Sequence, residues 1–246
     1  MEAPSFETAT ATVDRIAIVI DTAPHQWREH LVAARHITAH LELTNVHHEY
    51  ASRQWQIWLI GVLQRLAYSD TDSEGVPDIA NWCLRQALTI LELAPGEVDL
   101  MRLIGQNWLS RAQPNLARIH QLDGFSSSSG SSMGAMTSSP AVTRSEDERR
   151  SARAAAEAEE RLHTADYVVA RGLLLPAIEY LGRAVDLALA QGHQTGSLLT
   201  VAAEAYMSLG NVSYARVNER YFREALRYLR LAHNVPGYTL PAHLQQ

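Results

Sequence analysis

Residues 94–117 read APGEVDLMRLIGQNWLSRAQPNLA. Pro95 and Gly96 stop one helix, and a new helical period opens at Val98. Met101, Ile104, Gly105 and Trp108 then fall on one face, at the i, i+3, i+4, i+7 spacing of a buried stripe. A glycine inside a helix costs about 1 kcal/mol against alanine, so Gly105 is expected where a neighbouring helix approaches closely. Ala112-Gln113-Pro114-Asn115 reads as a turn, with Ala117 opening the packing face of a further helix.

Outward from this stretch the same grammar recurs. Residues 1–11 read as unstructured, and Val13–Ile20 fits a short helix or an extended segment equally. Pro24 suits a helical first turn. Trp27, Leu31, Ala34 and Leu41 then run at helical spacing to about Thr44. A long helix is expected over His47–Tyr68, with Trp55, Trp58, Leu59, Val62, Leu63 and Leu66 on its core face. Within it, Ile57-x2-Ile60-Gly61 repeats Met101-x2-Ile104-Gly105. An acidic loop, SDTDSEGVPD, leads to a helix carrying Trp82, Cys83, Ala87 and Ile90. Gly124–Arg144 is a Ser/Gly/Met run that cannot bury enough apolar area to offset its ordering entropy. It reads as a tether, with Ser139-Pro140 as a phosphorylation candidate.

Ser145-x-x-Glu148 is a capping box, and a charged, alanine-rich helix is expected from there to Arg171. Gly172 would end it and Pro176 would open the next, with Ala177, Leu181 and Ala184 facing inward. Leu199, Ala202, Ala203 and Tyr206 form the next stripe, and Gly210 closes it. Gly172 to Gly210 and Ala177 to Ala215 share one interval. The last helix is expected over about Val212–His233, with Pro236-Gly237 as its stop. Four parts follow after an undecided segment 1–23: helical hairpins in 24–123, a linker at 124–144, helical hairpins in 145–236, and a tail at 237–246. The tail lacks a tidy polar ending, so one expectation is that the natural chain continues.

Met101-x2-Ile104-Gly105-x2-Trp108 with Ala117 resembles the tetratricopeptide repeat, W-x2-L-G-x2-Y…A-x3-F…P, with a period of about 34 residues. Gln121 stands where that family has an aromatic. The resemblance covers roughly 54–124 and 155–234. It implies an all-α fold of antiparallel hairpins stacked as a short solenoid. It also implies a groove lined by the first helix of each hairpin, which receives an extended peptide or a partner helix. Gln106, Asn107 and Arg111 are the groove residues it suggests. The family's lysine-and-asparagine clamp for a C-terminal carboxylate has no counterpart here, because the chain has no lysine.

Composition bounds the function. A net charge of −6 argues against a general nucleic-acid binder. The single cysteine, Cys83, excludes an internal disulfide and fits a reducing, intracellular compartment. The first apolar run is short and bounded by Arg15 and Asp21, a poor match to a signal peptide. No stretch is long enough for a membrane span. All 21 basic residues are arginine, which fits either a GC-rich genome or selection against lysine as a modification acceptor.

No catalytic motif emerges. His36-x3-His40 has chelating spacing but lacks the glutamate of H-E-x-x-H, so no metal is expected. Cys83 sits at a small inward position and reads as a hydrophobe rather than a nucleophile. No phosphate loop, dinucleotide fingerprint or nucleophile elbow is present, and no cofactor is implied. The expectation is a non-enzymatic scaffold. A helical-bundle enzyme or small-molecule receptor is one alternative, and a regulatory domain of a longer protein is another. In the last helix, Arg216, Arg220, Arg223, Arg227 and Arg230 lie within an arc of roughly 80°, opposite Tyr214, Tyr221, Ala225, Tyr228 and Ala232. This stripe is either the solvated face of a terminal helix or a dock for an acidic or phosphorylated peptide.

Overall fold

In the computed structural model, which describes residues 6–44, 52–70, 75–128, 149, 152–153, 156–157 and 159–245, the described residues between 149 and 161 are helical, and eight further α-helices follow one another with defined bounds. They are α1 (Phe6–Thr22), α2 (Leu31–Thr44), α3 (Arg53–Ala67), α4 (Pro77–Leu93), α5 (Val98–Ser128), α6 (Ala165–Gln191), α7 (Gly196–Asn211) and α8 (Ala215–His233). A 3-10 segment at Pro24–His30 precedes α2, and another lies at Ala242–Leu244. There is no strand among the described residues. Local chemistry sets several boundaries. The Ser52 hydroxyl accepts from Trp55 N–H at the head of α3, and Thr195 accepts from Leu198 N–H at the head of α7. Pro77 starts α4, where its missing donor costs nothing. Gly192, at φ +69°, ends α6 in the left-handed conformation.

Consecutive helices from α3 to α8 pack side by side, and near-constant residue offsets between paired side chains show that α1 and α3, α2 and α4, α3 and α5, and α6 and α8 run parallel. Trp55 Nε1 donates to Thr10 Oγ1 at 3.1 Å, and Arg65 pairs with Asp21, which lays α1 along α3. Arg35 meets Asp78 at 2.6 Å and Arg85 meets Glu42, which lays α2 along α4. Gln64 Nε2 donates to the Leu103 carbonyl at 3.0 Å, tying α3 to α5. Arg171 donates to the Val212 carbonyl at 2.8 Å, at the head of α8. One continuous apolar core runs through all eight helices.

The helix α5 is the hub, and it buries two faces. Met101, Ile104 and Gly105 of the expected stripe are buried, Trp108 is half-buried, and Ala117, expected on a packing face, is exposed; Gly105 faces Ala177 and Leu181 of α6. Leu100, Leu103 and Asn107 are buried too, with Leu103 and Asn107 turned toward α3 and α4.

The expected turn at Ala112–Asn115 is not a turn: α5 runs unbroken past Pro114. An internal proline costs about 3 kcal/mol, but Leu109, Ala112, Asn115 and Ile119 are all buried around it. Each fully buried aliphatic side chain contributes roughly 1.5–3 kcal/mol, so continuity wins. The same holds for α6, which passes through Gly172 and Pro176 while Ala170, Leu174, Ala177 and Leu181 are fully buried. Thus α5 and α6 are the two arms of one antiparallel pair rather than a hairpin each.

Other boundaries also move. Helix α1 already starts at Phe6, because Ala9, Val13 and Ile16 form a buried 4,3-spaced face. The helix expected from His47 starts at Arg53, capped by Ser52; residues 45–51 lie outside the described set. The charged helix expected up to Arg171 is interrupted at Leu162–Thr164. The Ser145/Glu148 capping box lies outside the described residues, as does most of the tether. Residues 124–128 continue α5. The shared interval from Gly172 to Gly210 has no structural counterpart. Gly172 has open space around it, while Gly210 lies under the Phe222 ring. Ala177 is buried but Ala215 is exposed. In the tail, the Tyr238 ring packs on Gly196, and its hydroxyl lies 2.9 Å from Thr200 Oγ1.

Because α5 and α6 share the most extensive helix contact in the molecule, a protease cut within Gly124–Arg144 should leave two fragments that stay together. Limited proteolysis followed by gel filtration checks this. Fragments that elute separately would mean the tether holds the halves in register.

Candidate functional site

The helices α1, α3 and α5 border a cleft of about 760 Å³. Its floor comes from Ile57, Trp58, Gly61 and Val62 of α3 with Leu103 and Gln106 of α5, and Ile20 of α1 closes one wall. Trp58 is half-buried, with its ring against the core and one side facing the cleft. Two ion pairs lie along the rim, Arg65 with Asp21 and Arg102 with Asp99 at 3.3 Å. Their charges offset, so the lining is mixed and close to neutral, with apolar side chains beside Gln54, Gln64, Gln106 and Ser110. Such a surface suits an amphipathic segment rather than a highly charged one.

Gly61 and Gly105 share a sequence pattern but not a role. A Cβ added at Gly105 would sit 2.6 Å from Leu181 Cγ and 3.0 Å from the Ala177 carbonyl oxygen. At Gly61 the nearest atom is Leu103 Cδ2 at 3.6 Å, an ordinary contact. Gly105 is closed by packing, whereas Gly61 leaves the cleft floor low.

The suggested groove residues separate. Gln106 lines the cleft. Asn107 does not: it is fully buried behind it. Its Nδ2 donates to Gln64 Oε1 at 3.0 Å and to the Ala80 carbonyl at 3.2 Å, while its Oδ1 accepts from Arg111 Nε at 2.8 Å. The reason is register: two positions after Gly105, Asn107 points at α3 and α4, the second buried face of α5. Arg111 lies one turn further on and lines a different cavity, near the start of α4.

The five arginines of α8 are exposed, and Tyr221, Ala225, Tyr228 and Ala232 are buried, as the spacing predicts. Much of the stripe's charge is already met. Arg223 pairs with Glu219 at 2.6 Å, and Arg227 pairs with Glu224 at 2.5 Å, with Asp186 of α6 at 4.0 Å. The Glu224 hydrogen bond holds the Arg227 pKa above its usual value. Arg220 lies over the Tyr221 ring at 4.6 Å and Arg216 over Tyr214 at 5.3 Å. Burial pushes the Tyr228 and Tyr206 hydroxyls up, so both stay protonated under the stripe.

Cys83 is buried, and burial pushes its thiol pKa up, away from nucleophilic use. Among the described residues no three His, Cys, Asp or Glu side chains converge as a metal site. Nor is any helix among them long and apolar enough to cross a membrane. The sequence reading missed the cleft contributions of Ile20, Asp21, Arg65 and Tyr68. The available signal was the 4,3 spacing of Ala9, Val13 and Ile16, which makes α1 a helix and so supplies the cleft wall. No protein-family model, curated protein or solved structure matches the chain.

Proposed function

We propose that the chain is a non-enzymatic interaction scaffold, built as a short tetratricopeptide-like stack of helical hairpins. On this reading the hairpins are α1/α2, α3/α4, α5/α6 and α7/α8, and α1, α3 and α5 are first helices. The observation that carries the reading is that a cleft of about 760 Å³ lies along α1, α3 and α5, three of the four first helices. The sequence separation between parallel helices supports it: Arg35 meets Asp78 and Glu42 meets Arg85 across the same interval of 43 residues. That interval is longer than the family's about 34, and the long connection inside the α3/α4 hairpin, between Ala67 and Pro77, contributes to it.

The occupant is an amphipathic peptide or helix of a partner protein. Its apolar side chains lie over Trp58, Ile57 and Leu103, and its polar edge meets Gln54 and Gln106. The cleft volume also falls in the range of small-molecule sites, so the test has to identify what is displaced.

Gly61→Arg is the blocking variant. Its Cβ meets no clash, and replacing a helix glycine removes an intrinsic penalty of about 1 kcal/mol. Stability should therefore hold or rise slightly while the side chain fills the cleft floor. The full chain and the variant are used as baits in extracts of the source organism, and the captured species are identified by mass spectrometry. A protein retained by the wild type and lost by Gly61→Arg, at an unchanged melting midpoint, is expected. Equal retention by both would remove the cleft from the interaction. Loss of a bound metabolite instead would favour the receptor reading.

A further inference from the structure

A second cavity, about 280 Å³, lies between the end of α3, the start of α4, the middle of α5 and one side of α6. Tyr68, Asn81, Arg111 and Asn115 give its polar lining, and Pro77 and Leu173 give apolar walls. Arg111 is half-buried there. Its Nε donates to Asn107 Oδ1 at 2.8 Å, and one terminal nitrogen donates to Asn81 Oδ1 at 2.7 Å. Both acceptors are neutral amides. No carboxylate forms an ion pair with Arg111 among the described residues, whereas neighbouring Arg118 has Asp166 at 2.9 Å. A guanidinium carries five N–H donors, so donor capacity remains; the Arg111 charge lies over the Trp108 ring at 5.3 Å but meets no carboxylate among the described residues.

The surrounding groups are oriented to help an anion. Arg111 holds the Asn81 amide by its oxygen, and Arg118 holds Asn115 by its oxygen at 2.7 Å. The NH2 ends of both amides are thereby left as donors. Burial pushes the Tyr68 phenol above its usual pKa, and its hydroxyl is directed at Asn107 Oδ1 at 3.3 Å, so Tyr68 stays a neutral wall of the cavity. We propose that this cavity is a carboxylate site, with Arg111 supplying the charge and the amides of Asn81 and Asn115 the neutral donors. One cation matches one monoanion, and the planar fork matches a carboxylate. The walls of Pro77 and Leu173 suit the methylenes of a short acid. A phosphate dianion would leave a negative charge unmatched. The carboxylate comes from a free short-chain acid or from an acidic side chain of a bound peptide.

The test uses the full chain with 15N-labelled arginine and follows the Arg111 Nε–H resonance by NMR. Sodium acetate is titrated against sodium chloride at equal ionic strength, and acetyl-Gly-Glu-Gly-amide against its glutamine counterpart. A saturable shift at Arg111 with acetate or the glutamate peptide, absent with chloride and the glutamine peptide, is expected. Tighter binding of the peptide assigns the acid to a partner, and tighter binding of acetate assigns it to a free ligand. Asn81 is exposed, so Asn81→Asp places an internal carboxylate beside Arg111 without disturbing the core. It should weaken the response by at least about tenfold. The cleft-blocking Gly61→Arg should leave the response unchanged, which separates this site from the cleft. No saturable shift in the wild type, or a full shift in Asn81→Asp, would overturn the proposal.

Discussion

Gly105→Leu should be among the most damaging single substitutions in the chain. Even a methyl group at this position would fall 2.6 Å from Leu181 Cγ, 3.0 Å from the Ala177 oxygen and 3.1 Å from the Leu181 nitrogen. Two of those atoms are α6 backbone, so relief requires moving a helix. Overpacking of this kind costs about 1–3 kcal/mol and sometimes more, and a cost of about 3 kcal/mol lowers the melting midpoint of a chain this long by roughly 6–12 °C. Gly105→Ala should also destabilise, although alanine is the better helix former. The control is Gly172→Ala, where nothing lies within 4 Å of the added carbon and the midpoint should hold or rise. An unchanged midpoint in Gly105→Leu would mean that α5 and α6 do not meet at this point.

Asn107→Leu should be comparably costly for a different reason. The side chain is fully buried, and its amide joins three helices. Leucine fits the volume but leaves Gln64 Oε1 and Arg111 Nε without their partner. Each buried polar group stranded in this way costs about 1–3 kcal/mol, so a loss of about 2–4 kcal/mol is expected. Asn107→Asp keeps the shape and the Arg111 contact, but it turns the two donors into lone pairs facing Gln64 Oε1 and the Ala80 carbonyl. It should destabilise as well, and urea unfolding of both variants reads the effect. Full stability in Asn107→Leu would show that packing alone holds α5 against α3 and α4.

The helical class, the buried stripes of α4, α5 and α7, and the outward arginines of α8 were legible because each is a local periodicity. Pro114 and Pro176 misled because the cost of a helix proline is also local, whereas the burial that outweighs it comes from partners up to 70 residues away. Gly61 and Gly105 look alike in sequence; only the neighbouring helix, at ordinary contact distance at one and pressed close at the other, distinguishes them. Asn107 was assigned to the groove for the same reason. The stripe through Gly105 implied a single buried face, and the second face became visible only once α3 and α4 were in place. Gln106 lines the cleft because it falls between those two faces. The neutralisation of Arg223 and Arg227 was partly readable from Glu219 and Glu224, while the Asp186 contribution comes from another helix.

The cleft and the arginine stripe lie on different helices, α5 with its neighbours and α8, and photocrosslinking separates them. A benzophenone amino acid replaces Gln106 on the cleft floor in one full-length protein, and Arg230 on the outer face of α8 in another. Both are irradiated in extracts of the source organism, and the crosslinked partner is identified. The cleft reading predicts a crosslink to one defined segment of a partner from position 106, lost when Gly61→Arg is added, and none to that partner from position 230. A crosslink from position 230 with none from 106 would contradict it and place the interaction on the arginine face.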